Sequence, residues 1–264
     1  MTASSPAPAR VLPPIDGVPR ALVLPPIGDE VWALAGRARR GERLSLAENL
    51  QIATSLSFPG NPNLLHTVAE ILAAAEAEHV LVGGLAVGAL SGVPRATVDV
   101  DLAIWERSVP AVLAGLEARF GKLTVEHYRG LVRVAQPAMD LILADGNVVQ
   151  RQAMDAKNTI RVNVGEATLR LPCVESAMVL KIAAALSVSR SVEDSRQDIT
   201  DLGRLLVSTP TPDLERTVAL ARVLRTRSPK EIARILETLK AGGGIVVTRG
   251  GSMNRVTCVM PEGA

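Results

Sequence analysis

The chain has 264 residues, 47% of them hydrophobic and 21% charged, and a formal net charge of +2 at pH 7. This composition supplies a sizeable apolar core and excludes an intrinsically disordered chain. Only 2% of the residues are aromatic, which argues against a surface that stacks single-stranded bases on rows of aromatic rings.

Cysteine, histidine and hydropathy patterns exclude further classes of protein. Two cysteines, Cys173 and Cys258, are too few for a disulfide framework, and the three histidines lack zinc-ligand spacing. No apolar run approaches the ~18 residues of a membrane span. Seven prolines within the first 26 residues interrupt any signal-peptide pattern. We therefore expect a cytoplasmic protein with no membrane association.

The N-terminal part is predicted to be an arm followed by helices. Residues 1–28 are proline-rich and repeat VLPPIDG as VLPPIGD, which favours an extended, polyproline-like arm. One or two helices are predicted from Asp29 to about Leu56. Asn63 is a plausible N-cap for a helix over 64–79, whose apolar residues recur at helical spacing.

The central part alternates strands and helices. VLVGG predicts a short buried strand ending at Gly83 and Gly84, followed by a short helix that Gly92 closes. Strands are predicted for ATVDVDLAI and over 131–135 and 138–144, and a helix over 109–120. This order predicts an α+β fold, a mixed β-sheet with flanking helices.

Beyond about residue 172 the pattern is helical, with four predicted helices and a glycine-rich end. We therefore divide the chain into four parts: an arm (1–28), an α/β domain with N-terminal helices (29–168), a helical bundle (169–241) and a flexible glycine-rich tail (242–264). The tail contains one short β-prone run, so an added edge strand is the alternative.

Two aspartates stand in a predicted strand that is otherwise apolar. Side chains at i and i+2 of a strand share one face, so Asp99 and Asp101 point together. Their spacing of about 6.5–7 Å at Cα suits carboxylates that share divalent cations. The best candidate for a third carboxylate is Asp140, on a neighbouring predicted strand. Asp145 is weaker, because Asp-Gly after a strand is ordinary turn chemistry.

A glycine pair precedes these aspartates. Gly83 and Gly84 stand where a strand gives way to a helix, and glycine lets the backbone approach a phosphate at the N–H groups of a helix N-terminus. The pair is neither a P-loop nor the dinucleotide fingerprint, because both spacings fail.

With Asp140, the stretch GGLAVGALSGVPRATVDVDLAI (83–104) resembles the signature of the DNA polymerase β-type nucleotidyltransferase superfamily. It resembles more narrowly the abortive-infection toxin nucleotidyltransferases of the AbiEii type. The resemblance covers about residues 64–207. It implies a nucleotidyltransferase-type sheet followed by a helical bundle.

The resemblance also implies roles for residues. It makes Asp99, Asp101 and Asp140 the metal ligands and, with Lys181, the catalytic set; the nucleotide-binding positions are Gly83, Gly84, Arg95, Thr97, Lys181 and Asp198. Arg196 and Asp201 complete the segment RQDITDL. Many members of the superfamily have serine where this chain has Gly84, so phosphate contact here would rest on backbone N–H groups. On residue chemistry alone, Lys181 could equally reach solvent from an apolar helix face, and Asp198 and Asp201 could pair with Arg196 or Arg204.

The implied reaction is transfer of a nucleoside monophosphate from an NTP to an acceptor with release of pyrophosphate, using Mg²⁺ or alternatively Mn²⁺. The implied acceptor is tRNA or another RNA, and the implied role is that of a toxin with a separate antitoxin protein. A protein or small-molecule acceptor stays open, as does a catalytically silent, antitoxin-like member that binds a nucleotide or a partner protein. Nine lysines and arginines between 213 and 255 form either a solvated helix face or the RNA contact.

Overall fold

A five-stranded mixed sheet forms the centre of the protein. The structure is a computed structural model, and it describes residues 29–208, 211–225, 227–249 and 254–260; the proline-rich arm lies outside them. The strands are β1 (His79–Leu81), β2 (Val100–Ile104), β3 (Val125–Tyr128), β4 (Leu131–Val134) and β5 (Met139–Leu143). Their order is β1-β2-β5-β4-β3. The central pair β2–β5 is parallel and the other pairs are antiparallel, so the predicted mixed sheet is confirmed.

Helices before residue 155 flank this sheet. They are α1 (Asp29–Arg39), α2 (Leu46–Ser57), α3 (Leu64–Ala74), α4 (Gly83–Ser91), α5 (Val109–Phe120) and α6 (Val148–Met154). Gly92 closes α4 in the left-handed conformation, with φ +67°. Two expectations were wrong. Helix α3 ends at Ala74 because residues from His79 join the sheet, and the Asn63 side chain makes no capping hydrogen bond.

Helix α6, strand β3 and a separate β-hairpin were not predicted from the sequence. Strand β3 lies at the sheet edge with three of its four residues exposed, so it lacks the apolar alternation of a half-buried strand. A separate hairpin pairs β6 (Thr159–Val164) with β7 (Ala167–Pro172). The domain boundary predicted between residues 168 and 169 falls inside β7.

The C-terminal part is helical up to residue 240. Its helices are α7 (Val174–Leu186), α8 (Val192–Leu206), α9 (Leu214–Leu220) and α10 (Pro229–Lys240). The longest has 15 residues. Across the described ranges, no helix combines the length and apolarity needed to cross a membrane.

The glycine-rich end contains a β-hairpin rather than the expected flexible tail. Strand β8 (Gly244–Thr248) pairs antiparallel with β9 (Arg255–Val259). Val247 is 5% exposed, and Ile245 and Val256 pack against the main core. Because α8 and α10 contact this hairpin, apolar burial holds in place a segment that its glycines alone would leave mobile.

The two faces of the sheet differ in polarity. Val100, Leu102 and Ile104 of β2 are fully buried and belong to the main hydrophobic core. That core also includes Met178 of α7 and Leu202 of α8, so the sheet and the C-terminal helices share it. Because successive side chains of a strand alternate, the residues between these apolar ones face the other way, and that second face carries the candidate site.

Candidate active site

Three carboxylates converge on the second face of the sheet. Asp99, Asp101 and Asp140 each offer an oxygen, and these three oxygens lie within 4.8 Å of one another. The parallel pairing of β2 with β5 places Asp101 directly opposite Asp140, and Asp99 stands two residues before Asp101. Carboxylate oxygens are the ligands that Mg²⁺ and Mn²⁺ prefer. The donor set therefore fits a divalent metal site.

Charge repulsion and burial act on this acid triad. Burial, followed by the neighbouring Asp99 and Asp140, raises the pKa of Asp101 to about 7, against the opposing effect of Lys181 and Arg190. Near neutral pH the triad therefore holds a proton on Asp101 for much of the time. A bound cation favours the ionised form instead.

The glycine pair at the start of α4 leaves space for the side chains of Asp101, Arg95 and Thr97. Gly83 has φ +66°, and a Cβ there would lie 1.7 Å from Oδ2 of Asp101. A Cβ on Gly84 would lie 2.3 Å from Nη1 of Arg95 and 2.9 Å from Cβ of Thr97. The space that a serine would fill at Gly84 is thus taken by the Arg95 guanidinium.

Thr97 binds an acid of the triad. Its hydroxyl donates to Oδ1 of Asp99 at 3.0 Å, and its backbone N–H donates to Oγ of Ser57 at 3.0 Å. The loop between α4 and β2 is thereby tied to α2. The hydroxyl of Thr97 therefore helps to position Asp99, and its contact with a nucleotide stays a prediction of the resemblance.

A second group of charged side chains, the α7–α8 charge cluster, lies beside α4. Its members are Arg95, Lys181, Arg190, Asp198, Asp201 and Arg204. Lys181 Nζ lies 2.9 Å from Oδ1 of Asp198 and 2.8 Å from Oδ2 of Asp201. Both aspartates are buried, at 3% and 0% exposure. Four cations against two carboxylates leave an excess of two positive charges.

The contacts of Lys181, Asp198 and Asp201 agree in part with each interpretation of these residues. Lys181 does not extend to solvent but is buried against Asp198 and Asp201. Asp201 also contacts Arg204 at 3.1 Å, as the surface-pair interpretation expected. Arg196 lies instead near Glu193, at 3.5 Å. Lys181 and Asp198 are therefore brought together next to the triad but are not part of it.

Sequence reasoning missed Arg133. Its Nε and Nη2 donate to Oδ1 and Oδ2 of Asp140, both at 2.9 Å, and the carboxylate raises the pKa of the arginine. The register of the β4–β5 hairpin places the two residues opposite each other. The short connection between the two predicted strands was the available signal, because a tight hairpin sets which residues pair.

Arg190 and Asp145 are two further charged residues near the site. Arg190, also missed, lies 3.4 Å from Oδ2 of Asp198 and follows α7 in a segment with no motif. Asp145, the weaker candidate for a third carboxylate, accepts a hydrogen bond from the backbone N–H of Glu106 at 2.7 Å. That is a turn contact, and Asp145 is not a member of the triad.

Comparison with known proteins adds two solved structures. No protein-family model and no curated protein matches the chain. An antigenic nucleotidyltransferase-like protein from Paracoccidioides brasiliensis aligns with 20% identity and a TM-score of 0.42, over 72% of this chain and 93% of its own. The antibiotic-resistance factor ANT(2'')-Ia, solved in solution, aligns with 16% identity and a TM-score of 0.44, over 62% and 91%. At these identities and TM-scores neither structure assigns a function to this chain.

Proposed function

We propose that this protein is a Mg²⁺-dependent nucleotidyltransferase, which transfers a nucleoside monophosphate from an NTP to an acceptor and releases pyrophosphate. The observation that carries the proposal is the convergence of three carboxylate oxygens within 4.8 Å beside the glycine turn of α4. The net positive α7–α8 charge cluster next to them suits a triphosphate. Mn²⁺ fits the same oxygen donors.

The chain's own residues divide the work. Asp99 and Asp101 would hold both metal ions, and Asp140 would hold the catalytic one. When bound, these ions supply charge neutralisation on the phosphates and favour a deprotonated acceptor hydroxyl. Thr97 orients Asp99, while Arg95 and Lys181 offer positive charge to the triphosphate as cationic clamps do.

For the acceptor we propose RNA, with tRNA first. Exposed basic side chains around α10 and the C-terminal hairpin support this: Arg222, Arg225, Lys230, Arg234, Lys240, Arg249 and Arg255. Their contacts with phosphates would make binding depend strongly on salt. The proposed role as a toxin, with an antitoxin on a separate chain, follows from the resemblance of residues 83–104.

The test is transfer of label from α-³²P-labelled NTPs to total RNA in the presence of Mg²⁺. We expect labelled RNA from the wild-type protein and at least a 100-fold loss for Asp101→Ala. Asp145→Ala is the matched control, because it removes a carboxylate that binds the backbone outside the triad. Label transfer that survives Asp101→Ala would contradict the proposed mechanism.

A nucleotide-binding protein without transferase activity is the second candidate. The observation that favours it is the pairing of both Asp140 oxygens with Arg133, which leaves the third ligand engaged. Saturable NTP binding without transfer to RNA, protein or small acceptors such as aminoglycosides would support this alternative. Transfer to protein or to a small molecule would keep the reaction and replace the acceptor.

A further inference from the structure

Arg133 and Asp140 form an ion pair whose two members differ in access to solvent. The guanidinium donates to both carboxylate oxygens, at 2.9 Å each. The Arg133 side chain is 49% exposed, whereas that of Asp140 is 13% exposed. The arginine can therefore leave the pair by rotating into solvent, while the carboxylate stays in the sheet.

This pair competes with the proposed use of Asp140. The oxygen that Asp140 would offer to a metal already accepts a hydrogen bond from Arg133. A guanidinium and a divalent cation on one carboxylate repel each other strongly at such distances. Binding of a metal at Asp140 therefore requires Arg133 to give up at least one of its two hydrogen bonds.

A second partner for Arg133 lies on the next strand. The β3–β4 register places Glu126 directly opposite Arg133, so a row of charges crosses the sheet from Asp101 through Asp140 and Arg133 to Glu126. Tyr128 donates its hydroxyl to Oε2 of Glu126 at 2.5 Å. The Arg133 guanidinium carbon lies 5.8 Å from the centre of the Tyr128 ring, within the range of a cation–π contact.

We propose that Arg133 is a displaceable internal cation, which neutralises Asp140 in the metal-free protein and transfers to Glu126 when a divalent cation binds the triad. The proposal rests on the metal site of the proposed function. Arg133 is a positioning residue here: it touches Asp140 and sets how readily that carboxylate accepts a metal. Glu126 acts only through Arg133, because its carboxylate is the alternative ion-pair partner of the guanidinium.

The test measures Mn²⁺ binding to the whole protein, without nucleotide, by the electron paramagnetic resonance signal of free Mn²⁺. The Mn²⁺ binding that is lost in Asp101→Asn is assigned to the triad site. We expect Arg133→Gln to tighten this binding about tenfold, the factor equivalent to one charge-assisted hydrogen bond of ~1.4 kcal/mol. We expect Glu126→Gln to weaken it about threefold, as for loss of one exposed ion pair.

The decisive measurement is the Mn²⁺ affinity of the double variant, which combines Arg133→Gln with Glu126→Gln. If Glu126 acts through Arg133, Glu126→Gln has no effect on Mn²⁺ binding in the Arg133→Gln background. If the two residues act only by their charges, the two effects add. Additive effects would overturn the proposal, and so would unchanged affinity in Arg133→Gln.

Two further variants complete the design. Arg129→Gln removes the same charge from the β3–β4 turn and is expected to change Mn²⁺ affinity less than Arg133→Gln. Arg133→Lys keeps the charge but loses the paired donors, so it should tighten binding by a smaller factor, and it also serves if Arg133→Gln does not fold. Wild-type protein with no Asp101-dependent Mn²⁺ binding would overturn the metal site and this proposal together, whereas additivity would overturn this proposal alone.

Discussion

Replacing Asp101 by asparagine is expected to stabilise the metal-free protein while abolishing transfer. The pKa of Asp101 is raised from 3.8 to about 7 by burial and by its acidic neighbours. At about 1.4 kcal/mol per pH unit, the ionised carboxyl group costs about 4 kcal/mol at pH 8. Asparagine keeps the buried polar group but removes the charge, so we expect roughly half of this, ~2 kcal/mol.

The stability gain expected from Asp101→Asn depends on pH. Because the pKa of Asp101 is higher in the folded than in the unfolded protein, the folded protein holds an extra proton between about pH 4 and pH 7. Stability from this group is therefore lost as the pH rises through that window. The gain from Asp101→Asn should be small at pH 4 and reach about 5 °C in Tm at pH 8.

Thermal unfolding in EDTA, followed by circular dichroism at pH 4 and pH 8, measures the effect. Glu166→Gln is the matched control, because it removes one negative charge from the exposed β6–β7 turn, and it should leave Tm nearly unchanged. A lower Tm for Asp101→Asn at pH 8, or an equal gain at both pH values, would refute the reasoning. It would mean that Asp101 carries no unfavourable charge in the metal-free fold.

Three further substitutions test other parts of the site and fold. Gly83→Ala places a Cβ 1.7 Å from the Asp101 carboxylate at a positive φ, so we expect the free energy of unfolding to fall by about 2 kcal/mol and transfer to be lost. Gly146→Ala, with open space around its Cβ, should change stability little, and equal effects of the two substitutions in urea unfolding would contradict this. Lys181→Met leaves two buried carboxylates short of a cation, and we expect a loss of about 3 kcal/mol in urea unfolding; an unchanged midpoint would show that the arginines alone suffice. Burial lowers the pKa of His79, so the contribution of the neutral imidazole to stability is present above about pH 6.5 and lost as the pH falls. His79→Leu should therefore flatten the fall in Tm between pH 7 and pH 5, and an unchanged slope would contradict this prediction.

The sequence predicts the residues of the triad but not their counter-ions. The i, i+2 spacing of Asp99 and Asp101 and their apolar flanks predicted one strand over 96–104. Strand β2 begins only at Val100, so Asp99 lies in the bend just before it. Arg133 is different: its partner follows from strand register, which no local pattern announces. The position of Arg95 against Gly84 depends on how a loop folds back over α4, a long-range packing result.

The same distinction applies to the fold. Helix α5 was predicted to the residue, because helical periodicity is local, whereas α3 ends five residues before its predicted end. Strand β3 was not predicted, since an exposed edge strand lacks the apolar pattern of a buried one. The hairpin β8–β9 is held by burial against α8 and α10, so its glycines predicted mobility where tertiary contacts impose order.

The shared core and the Arg95–Asp201 contact have a consequence for modularity. Cutting the chain between residues 168 and 169 would split β7 and separate Arg95 from Asp201, which lie 3.4 Å apart. The half that holds the triad would then expose apolar surface that α7 and α8 now cover. The acid triad therefore depends on packing from both halves of the chain.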